Sequence, residues 1–331
     1  MADTFEAFVI EDANGRTKGT FRNLTLEDLP DNDVLVEVAY STVNYKDGLA
    51  VTGKGRIVRR LPMVAGVDLA GTVIESRSPD WKLGDKVIVN GWGMSETVWG
   101  GYSRFQRLRP EWLIRLPESF TLEEAMAIGT AGHTAALCVD ALEDWGVVQS
   151  TGKEVLVTGA SGGVGSMAVA LLAQQKYSVV ASTGRPETHD YLRSLGAVGF
   201  INRSDLLEKG PSLQKERWGG VIDSVGGQTL VNALSQTVYG GAVAACGLAG
   251  SADLPASVFP FILRGVTLIG IESSHAPQAQ RDAAWARLAR DLDPAKLRTM
   301  YEVYPFKALP ELADGILANR IRGRIVIDLR A

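Results

Sequence analysis

The sequence predicts an α/β fold in which a doubly wound parallel sheet follows a β-rich module. From residue 154 onward, strand-like segments alternate with segments of helical periodicity, starting with "EVLVTGA" and "GVGSMAVALLAQQK". Such alternation is typical of parallel strands joined by crossover helices. Residues 1–125 show little helical periodicity and carry short β-branched runs between turn signals, which predicts β structure.

Strand candidates follow one another along both parts of the chain. In the first module they are "VLVEVAYSTV" (34–43), "LAGTVIES" (69–76) and "DKVIVNG" (85–91). In the second they are "EVLVTGA", "SVVASTG", "VGFIN", "GGVIDSVG", "GAVAACGLA" and "VTLIGIE". The second helix of this part, "PETHDYLRSLG", has Pro186 near its start and Gly196 after its end, as helix boundaries favour.

Near residue 121 the sequence changes from β-like segments to a run of helix-forming residues. The segment "TLEEAMAIGTAGHTAALCVDALEDWG" opens with Thr121 and Glu124 at capping-box spacing, and its glycines predict a helix break within residues 129–132. The stretch "GRIVIDL" (323–329) predicts a strand that returns to the first module. The expected domains are residues 1–125 with 300–331, and residues 126–299.

The composition is that of an ordinary globular protein. The chain has 331 residues, 46% of them hydrophobic, which suggests two domains at roughly 150 residues each. The formal net charge is −4, so no global basic field attracts nucleic acid, and we predict no nucleic-acid partner. The start "MADTFEAFVIEDANG" does not resemble a signal peptide, and no apolar run approaches the ~18 residues of a membrane span. We expect a cytoplasmic protein without a membrane partner.

The stretch "VTGASGGVGS" (157–166) fits two motifs. Its G-x-S-x-G at 159–163 matches the nucleophile elbow of a serine hydrolase, whereas its A-x-G-x-x-G at 160–165 matches a dinucleotide-binding turn. A nucleophile elbow needs a catalytic histidine downstream. His189 lies in the next helix of the same unit, which is a poor position for such a base, whereas His275 lies in a loop and stays a candidate. The dinucleotide interpretation fits better, because the motif opens the first β-α-β unit and a helix N-terminus offers free N–H groups to phosphates.

The residues after the second strand of this unit indicate which dinucleotide binds. An NAD site usually has an acid about 20 residues past the motif, where it binds the ribose 2′-hydroxyl. Here that point reads Ser182-Thr183-Gly184-Arg185, and Arg203 follows the next strand candidate. Hydroxyls and guanidinium groups suit a 2′-phosphate, because hydrogen bonds to ionised partners are strong. We predict NADPH as the cofactor.

The chain resembles the medium-chain dehydrogenase/reductase superfamily over almost its whole length. The stretches that carry the resemblance are "LPMVAGVDLAGTV" (61–73), "KLGDKVIV" (82–89), "GGYSRFQRL" (100–108), "AMAIGTAGHTA" (125–135), "GASGGVG" and "GGVIDSVGG" (219–227). Three more are similar to its NADPH-dependent acrylyl-CoA reductase branch, often catalogued as quinone oxidoreductase-like: "STVNYKDGLAVTGKGRIVR" (41–59), "GASGGVGSMAVALL" and "GLAGSADLPASVFPFILRGVTLIGIES" (247–273). The resemblance implies a GroES-like first domain and a Rossmann second domain.

The resemblance also implies a reaction. In this branch, hydride from C4 of NADPH adds to the β-carbon of acrylyl-CoA, and protonation of the α-carbon gives propionyl-CoA. Negative charge develops on the thioester oxygen, so donors aimed at that oxygen lower the barrier. Two alternatives stay open: a quinone or general enone reductase on the same scaffold, and a non-catalytic NADPH-binding protein.

The sequence departs from the zinc alcohol dehydrogenases at the position of their catalytic metal. Where those enzymes carry G-H-E, this chain reads Gly66-Val67-Asp68, and valine has no ligand atom. Cys138 and Cys246 make no zinc pattern and are predicted to be small packing residues. We therefore expect no metal. Without a Lewis acid of the kind used for alcohol oxidation, the sequence favours reduction of an activated alkene.

The tetrad Asn44-Tyr45-Lys46-Asp47 contains the predicted catalytic residues, because the resemblance implies that it lies near the nicotinamide, at the cleft between the domains. Tyr45 is predicted to donate a hydrogen bond or a proton. In the alternative, Tyr45 only packs on the cofactor and solvent supplies the proton. Asn44 is predicted to orient either the substrate carbonyl or the cofactor ribose.

Further cofactor contacts are implied by the resemblance, residue by residue. Residues 161–164 are expected on the pyrophosphate, residues 183–185 with Arg203 on the 2′-phosphate, and the others around the nicotinamide half. The full predicted set is Tyr45, Ser161, Gly162, Gly163, Val164, Thr183, Gly184, Arg185, Arg203, Leu248, Ile262, Ser273 and Asn319.

Two basic clusters are alternative candidates for binding the phosphates of CoA. The first holds Lys54, Arg56, Arg59 and Arg60, and the second holds Arg320, Arg322 and Arg324. Either can steer an anionic substrate, although charge runs are usually solvated faces. Trp92 and Trp99 are predicted to be packing residues, with a contact to the ligand as the alternative. The segment "VTLIGI" (266–271) is expected to be an edge strand that pairs across the two-fold axis of a homodimer.

Overall fold

The computed structural model describes residues 4–13, 15–147 and 152–331. The chain divides into two compact units. Unit 1 takes in Met1–Thr130, Ser274–Asp282 and Leu297–Ala331, and unit 2 takes in Ala131–Ser273 and Ala283–Lys296.

The strands and helices of the described residues are numbered in chain order. The strands are β1 (Phe5–Ala13), β2 (Arg16–Leu24), β3 (Val34–Thr42), β4 (Met63–Val64), β5 (Asp68–Ser76), β6 (Lys86–Asn90), β7 (Phe105–Leu108), β8 (Ile114–Arg115), β9 (Glu154–Val157), β10 (Val179–Thr183), β11 (Gly199–Asn202), β12 (Trp218–Asp223), β13 (Thr237–Ala245), β14 (Thr267–Gly270), β15 (Tyr301–Pro305) and β16 (Arg324–Asp328). The helices are α1 (Tyr45–Thr52), α2 (Leu122–Trp145), α3 (Gly163–Gln174), α4 (His189–Leu195), α5 (Gly227–Gln236), α6 (Phe259–Arg264), α7 (Gln278–Asp291), α8 (Pro294–Leu297) and α9 (Leu309–Leu317).

Unit 1 is built on two β-sheets. The larger has the order β15-β16-β3-β5-β6-β8, with β7 also paired to β3, and the smaller has the order β2-β1-β4. The strands predicted from residues 34–43, 69–76 and 85–91 are confirmed as β3, β5 and β6. β16 runs antiparallel to β3 with Val326 opposite Thr42, so the predicted return of the C-terminal strand is also confirmed.

The core of unit 1 packs the apolar faces of these strands together with α1 and α9. Phe21 bridges two elements of that core, because it meets Phe8 and Phe306 edge to face with both centroid separations at 5.1 Å. Edge-to-face aromatic pairs add stability beyond the area they bury. A Cβ at Gly48 would lie 2.8 Å from Cγ2 of Ile316, so this glycine lets α1 approach α9 closely.

Unit 2 contains an open six-stranded sheet in the order β11-β10-β9-β12-β13-β14. Every strand pair in it is parallel. Counted from β9 the order is 3-2-1-4-5-6, which is the doubly wound Rossmann order, so the predicted α/β fold class is confirmed. In this topology ligands bind outside the carboxyl ends of the strands where the order reverses, here β9 and β12.

α2 begins and breaks as the sequence predicts. Thr121 N donates to Glu124 Oε2 at 3.0 Å and Glu124 N donates to Thr121 Oγ1 at 3.1 Å, which completes the capping box. The helix is interrupted at Gly129, where φ is 49° and ψ is −158°. A Cβ at this position would lie 2.8 Å from Nη2 of Arg324, so both the backbone conformation and the space require glycine.

α2 corrects the expectation that no apolar run approaches the length of a membrane span. Over an 18-residue window its mean hydropathy is 1.3, which is enough by length and composition. However, 78% of that window is buried within the structure. The apolar surface of α2 therefore serves the protein core.

The segment Ser274–Asp282 belongs to unit 1, although the predicted range 126–299 assigned it to the second domain. Its backbone and side chains bind the end of β6. Trp92 N donates to Ser274 O at 2.8 Å, and Arg281 Nη1 donates to Asn90 O at 2.6 Å. The ranges of the GroES-like and Rossmann domains given above stay a prediction.

Candidate active site

The turn between β9 and α3 needs glycine at two positions. Gly159 has a φ of 57°, and a Cβ there would lie 2.6 Å from Ser224 Oγ. A Cβ at Gly165 would lie 2.4 Å from the carbonyl oxygen of Gly159. The first glycine makes the sharp turn, and the second lets α3 pack directly against it.

The N-terminus of α3 is open beside Gly162, its N-cap residue. A Cβ at Gly162 would meet a single neighbour within 4 Å, Gly159 O at 3.3 Å. The first N–H groups of a helix have no partner within the helix, and they carry partial positive charge. Residues 161–164 therefore offer donors and space of the kind that a pyrophosphate needs.

Five predicted residues converge next to this turn. Arg185 Nη2 donates to Ser161 Oγ at 2.8 Å, and Arg185 N donates to Thr183 Oγ1 at 3.1 Å. The two hydroxyl oxygens are 3.4 Å apart. The guanidinium of Arg203 lies across Gly184, where a Cβ would be 2.9 Å from Nε. We call these five residues the phosphate cluster.

The phosphate cluster has the chemistry of a site for a phosphate dianion. Ser161 and Thr183 are buried, so their hydroxyl groups are held in place, while Arg203 is exposed and has no ion-pair partner among the described residues. The guanidinium of Arg185 already contacts a neutral hydroxyl. Because hydrogen bonds between ionised groups are stronger than these neutral contacts, a 2′-phosphate fits here.

Thr188 supports the phosphate cluster and was not predicted. It ends a short 3₁₀ helix, Pro186–Thr188, and its Oγ1 donates to Arg185 O at 2.6 Å. The same oxygen lies 3.3 Å from Thr183 Oγ1. Pro186 directly after Arg185 is the sequence signal for this turn, because proline is preorganised for a first helical position.

The other predicted cofactor residues are spread over both units. In unit 2, the Cα of Leu248 is 3.5 Å from a Cβ built on Gly226, at the start of α5, and Ser273 Oγ accepts a hydrogen bond from Thr134 Oγ1 at 2.7 Å. Ile262 lies on α6 with its side chain exposed. Asn319 belongs to unit 1, directly after α9, with a left-handed φ of 56°. Their contacts with the cofactor stay predictions.

Asp223 at the end of β12 has a structural role. Its Oδ2 accepts from Gly226 N at 2.7 Å and its Oδ1 accepts from Thr158 Oγ1 at 2.7 Å. Burial raises the pKa of this carboxyl above its usual range. The carboxylate therefore caps the turn that leads into α5.

Tyr45 and Asn44 lie at the start of α1 in unit 1. Asn44 is the N-cap residue, and its backbone N donates to Asp47 Oδ2 at 2.9 Å. Tyr45, the first helical residue, is 38% exposed, and its hydroxyl has no hydrogen-bond partner in the described part of the chain. The phenol is therefore available to a ligand.

Three buried charged residues hold the side chain of Asn44. Its Nδ2 donates to Asp68 Oδ2 at 2.6 Å and to Asp47 Oδ2 at 3.1 Å, and its Oδ1 accepts from Arg324 Nη1 at 3.0 Å. A carboxylate only accepts and a guanidinium only donates, so these partners fix the direction of the amide. Both amide hydrogens are engaged, and Asn44 keeps only acceptor capacity for a ligand.

The carboxyl of Asp47 titrates in an unusual range. Burial, and after it the neighbouring carboxylate of Asp68, raises the pKa of Asp47 to about 7. Burial also lowers the pKa of Arg324. Perturbed groups of this kind cluster at functional sites. No roles for Asp47 and Asp68 were predicted from the sequence, although the Asn-x-x-Asp spacing at 44–47 was a signal for Asp47.

Arg324 corrects one of the predicted CoA contacts. The residue is 3% exposed, and besides Asn44 it donates to Thr42 Oγ1 at 2.7 Å and to Ala127 O at 2.9 Å. A guanidinium buried among these partners is not accessible to the phosphates of CoA. Arg324 was grouped with its neighbours by sequence, but as the first residue of β16 it points into the core.

The rest of the two basic clusters lies on the surface of unit 1. Lys54 pairs with Asp314 of α9 at 2.8 Å, and Arg59 lies 3.9 Å from Glu96. Arg56 and Arg60 are exposed and have no ion-pair partner among the described residues. Arg320 and Arg322 follow α9 and are the remaining exposed cations of the second cluster. Both clusters therefore border α9.

The position equivalent to a catalytic metal ligand carries no ligand atom, since Val67 stands there in the chain. The residues that the structure describes include no group of three or more His, Cys, Asp or Glu side chains arranged to hold a metal ion. Cys138 and Cys246 are both free thiols. That the protein works without a metal stays a prediction.

The chain matches two known domain families. Residues 30–118 match the family described as alcohol dehydrogenase GroES-like domain, and residues 163–290 match the family described as zinc-binding dehydrogenase. The first match lies in unit 1, and the second covers most of the described unit 2 sheet.

Individual relatives are similar over nearly the full chain. Acrylyl-CoA reductase AcuI of Ruegeria pomeroyi is 50% identical over 331 residues, covering 99% of this chain and 100% of its own. The YhdH oxidoreductase from Salmonella enterica, solved in complex with NADP, is 46% identical with a TM-score of 0.95, covering 98% of this chain and 99% of its own. The Bacillus subtilis protein YhfP, solved with NAD bound, is 42% identical with a TM-score of 0.94, covering 99% of this chain and 100% of its own.

Proposed function

The chain belongs to the acrylyl-CoA reductase branch of the medium-chain dehydrogenase/reductase superfamily, and from this membership we propose that it reduces acrylyl-CoA to propionyl-CoA with NADPH. The relative that supports the substrate is 50% identical along the whole chain. The observation that supports the cofactor is the phosphate cluster, in which Arg185 and Arg203 stand where an NAD site has an acid.

The residues of unit 2 fit NADPH. The pyrophosphate is assigned to the N-terminus of α3 and the 2′-phosphate to the phosphate cluster. When bound, NADPH supplies the hydride that adds to the β-carbon of the alkene. The chain itself holds the phosphates and orients the ring through those fixed contacts.

Tyr45 is the proposed acid. The reduced substrate needs one proton at the α-carbon, and Tyr45 is exposed and has no hydrogen-bond partner for its hydroxyl among the described residues. A Tyr45→Phe variant is expected to lose a large part of kcat while KM for NADPH stays close to that of the wild type. An unchanged kcat would instead leave the proton to solvent and restrict Tyr45 to packing.

Asn44 is the proposed partner of the cofactor ribose rather than of the substrate carbonyl. Its two amide hydrogens are taken by Asp47 and Asp68, so it has no donor left for a carbonyl oxygen. Its Oδ1 accepts one hydrogen bond, from Arg324, and has a second lone pair for a ribose hydroxyl. An Asn44→Asp variant keeps the size and acceptor capacity of the side chain, but it places a third carboxylate against two others.

A substrate comparison tests the proposed reaction. NADPH oxidation is measured with acrylyl-CoA, crotonyl-CoA and a small quinone in parallel, and acrylyl-CoA is expected to have the highest kcat/KM. A higher value for the quinone would favour the quinone reductase alternative. Binding of NADPH without turnover of any of the three would favour a non-catalytic protein.

The proposed assembly is a homodimer formed along β14. This strand lies at the edge of the unit 2 sheet, and the neighbouring α6 region exposes Val258, Phe259, Ile262 and Leu263. An unpaired edge beside an apolar patch suits a second copy of the same edge across a two-fold axis. In sedimentation, Leu263→Asp is expected to shift the protein to monomers, whereas Leu83→Asp, at an exposed site of unit 1, is not.

The proposed location is the cytoplasm, since NADPH and CoA thioesters are intracellular substrates. Cell fractionation followed by the acrylyl-CoA assay tests this location. Recovery of the activity in the membrane fraction would contradict it.

A further inference from the structure

The loop after β6 has a backbone that most residues avoid. Positive φ angles occur at Gly91 (75°), Trp92 (56°), Gly93 (76°) and Ser95 (67°). For tryptophan and serine this conformation is strained, and strain of this kind persists only where the surroundings enforce it. A Cβ at Gly91 would lie 2.6 Å from Ser274 O, so the neighbouring segment enforces the path of the loop.

The indole of Trp92 rests on a buried cation. The guanidinium carbon of Arg281 is 4.2 Å from the indole ring centroid, and the side chain of Arg281 is fully buried. Three backbone carbonyl oxygens, those of Ala276, Asn90 and Ser274, fix the guanidinium at 2.8, 2.6 and 2.6 Å. A cation held below one face of the ring stabilises the position of the indole.

The indole nitrogen of Trp92 has no hydrogen-bond partner. It is shielded from solvent and unpaired among the described residues, as is the hydroxyl of Ser95 in the same loop. Four other tryptophans donate their N–H to an oxygen at 3.0 to 3.2 Å: Trp81, Trp99, Trp145 and Trp218. A buried donor without a protein acceptor is costly, so an acceptor supplied by a ligand stabilises it.

The loop that carries Trp92 is connected to the hydrogen-bond network around Asn44. Asn90, two residues earlier, donates from Nδ2 to Asp68 Oδ1 at 2.5 Å, and Asp68 in turn accepts from Asn44. At the other end of the loop, Glu96 pairs with Lys46, the residue after Tyr45. The loop is therefore attached at both ends to the segment that carries the proposed acid.

We propose that the indole N–H of Trp92 donates a hydrogen bond to the acyl oxygen of the thioester substrate. This inference rests on the proposed reduction of acrylyl-CoA. Negative charge develops on that oxygen as the hydride arrives at the β-carbon, and a neutral hydrogen-bond donor stabilises it most in the transition state. Asn44 has no donor left for this task, and Trp92 has one. The ring turns about its side-chain bonds to present the shielded nitrogen to the ligand.

The first test compares Trp92→Phe with Trp99→Phe. Phenylalanine keeps an aromatic face over Arg281 and removes only the N–H donor and one ring. With acrylyl-CoA and saturating NADPH, kcat of Trp92→Phe is expected to fall on the order of 100-fold, with KM for NADPH unchanged. Trp99, whose N–H is already bound to Pro62 O at 3.1 Å, is the control and should keep its kcat.

A second variant separates the donor from the packing of the ring. Trp92→benzothienylalanine keeps the shape of the side chain and replaces the N–H by sulfur. It should lose kcat as Trp92→Phe does while keeping the wild-type Tm, because no protein hydrogen bond is broken. The same replacement at Trp99 breaks a real hydrogen bond, so it should lower Tm and leave kcat alone.

A binding measurement gives a readout that does not depend on turnover. In the spectrum of the ¹⁵N-labelled protein, the indole resonance missing from Trp92→Phe identifies Trp92, and propionyl-CoA is expected to move its proton downfield. A resonance that does not move, or a Trp92→Phe variant that changes only KM for acrylyl-CoA, would overturn the proposal. Failure of the wild type to reduce acrylyl-CoA would instead overturn the proposed function, which keeps the two failures apart.

Discussion

Arginine has opposite roles in the two units. In unit 2, Arg185 contacts buried hydroxyl groups, and Arg203 is exposed over Gly184 without an ion-pair partner among the described residues. In unit 1, Arg324 is buried and its donors are taken by Asn44, Thr42 and Ala127. Arg185 and Arg203 are the cations proposed to bind a phosphate, whereas Arg324 is a structural part of the segment that carries Asn44 and Tyr45.

The difference lies in what each guanidinium has lost on folding. A buried guanidinium gives up its hydration, and only complete pairing inside the protein offsets that cost. Each of the three guanidinium nitrogens of Arg324 has an acceptor within the protein, so its donors are directed into the protein core. Arg203 has kept its hydration and exchanges it for a phosphate oxygen when a ligand arrives. Burial, rather than charge, separates the two roles.

The largest expected effect follows from removing the buried cation. Arg324→Leu leaves Asp47 and Asp68 without their compensating charge, and breaking a buried charge pair costs about 3–5 kcal/mol. For domains of this size that corresponds to a fall in Tm on the order of 10 °C. Arg322→Leu, at an exposed site two residues away, is the control and should change Tm very little. Equal falls in Tm for the two variants would mean that Arg324 does not stabilise the buried carboxylates of Asp47 and Asp68.

The next largest effect is expected at Arg185 and Arg203 of the phosphate cluster. Replacing Arg185 and Arg203 together by alanine removes charge-assisted hydrogen bonds to the 2′-phosphate, each worth about 1.5–3 kcal/mol. kcat/KM for NADPH should therefore fall on the order of 100-fold or more, while the value for NADH changes little. Arg193→Ala, an exposed arginine of α4 paired with Asp190, serves as the control. A loss shared equally by NADPH and NADH would place these arginines elsewhere on the dinucleotide.

The pH dependence of stability should report the buried network. The pKa of Asp47 is raised from 3.8 to about 7 in the folded protein. Between these values the folded state keeps a proton that the unfolded state loses, so the contribution to stability is full below the lower value and lost as pH rises through the upper one. Tm of the wild type should therefore decline more steeply from acidic to neutral pH than Tm of Asp47→Asn. An Asp190→Asn control should follow the wild type, and parallel curves for all three would exclude the assignment.

The smallest expected effect belongs to the surface cations beside α9. Neutralising Lys54, Arg56, Arg59 and Arg60 should raise KM for acrylyl-CoA by roughly fivefold, which is what exposed charge contacts supply. Salt should diminish the effect, because exposed charges are screened. KM for a small quinone should not change. Neutralising Arg320 and Arg322 tests the second cluster in the same way. An equal rise in KM for acrylyl-CoA and for the quinone would show that these cations do not bind CoA.

Local sequence signals predicted unit 2 well. The glycine pattern at 159–165 demands a turn that only glycine can make, and the residues at 183–185 follow the next strand directly, so a short stretch of sequence contains most of the phosphate cluster. The alternation of strand and helix periodicity then predicted parallel strands joined by crossover helices in a doubly wound sheet. Each of these signals acts between residues that are close in the chain.

The hydrogen-bond network around Asn44 could not be predicted from such local signals. Arg324 reaches Asn44 across 280 positions of the chain, and Asp68 reaches it across 24. A charge in a basic run looks the same in a sequence whether it is solvated or buried, so Arg324 was assigned to CoA. The strained conformation of Trp92 depends likewise on the distant segment at Ser274. Long-range packing decided these positions.

Arg185 and Arg203 of unit 2 are proposed to select a phosphorylated dinucleotide. Steady-state kinetics of the wild-type enzyme with acrylyl-CoA, run in parallel with NADPH and NADH, test it most directly. The enzyme is expected to have a lower KM and a higher kcat/KM for NADPH than for NADH. A lower KM and a higher kcat/KM for NADH would contradict it.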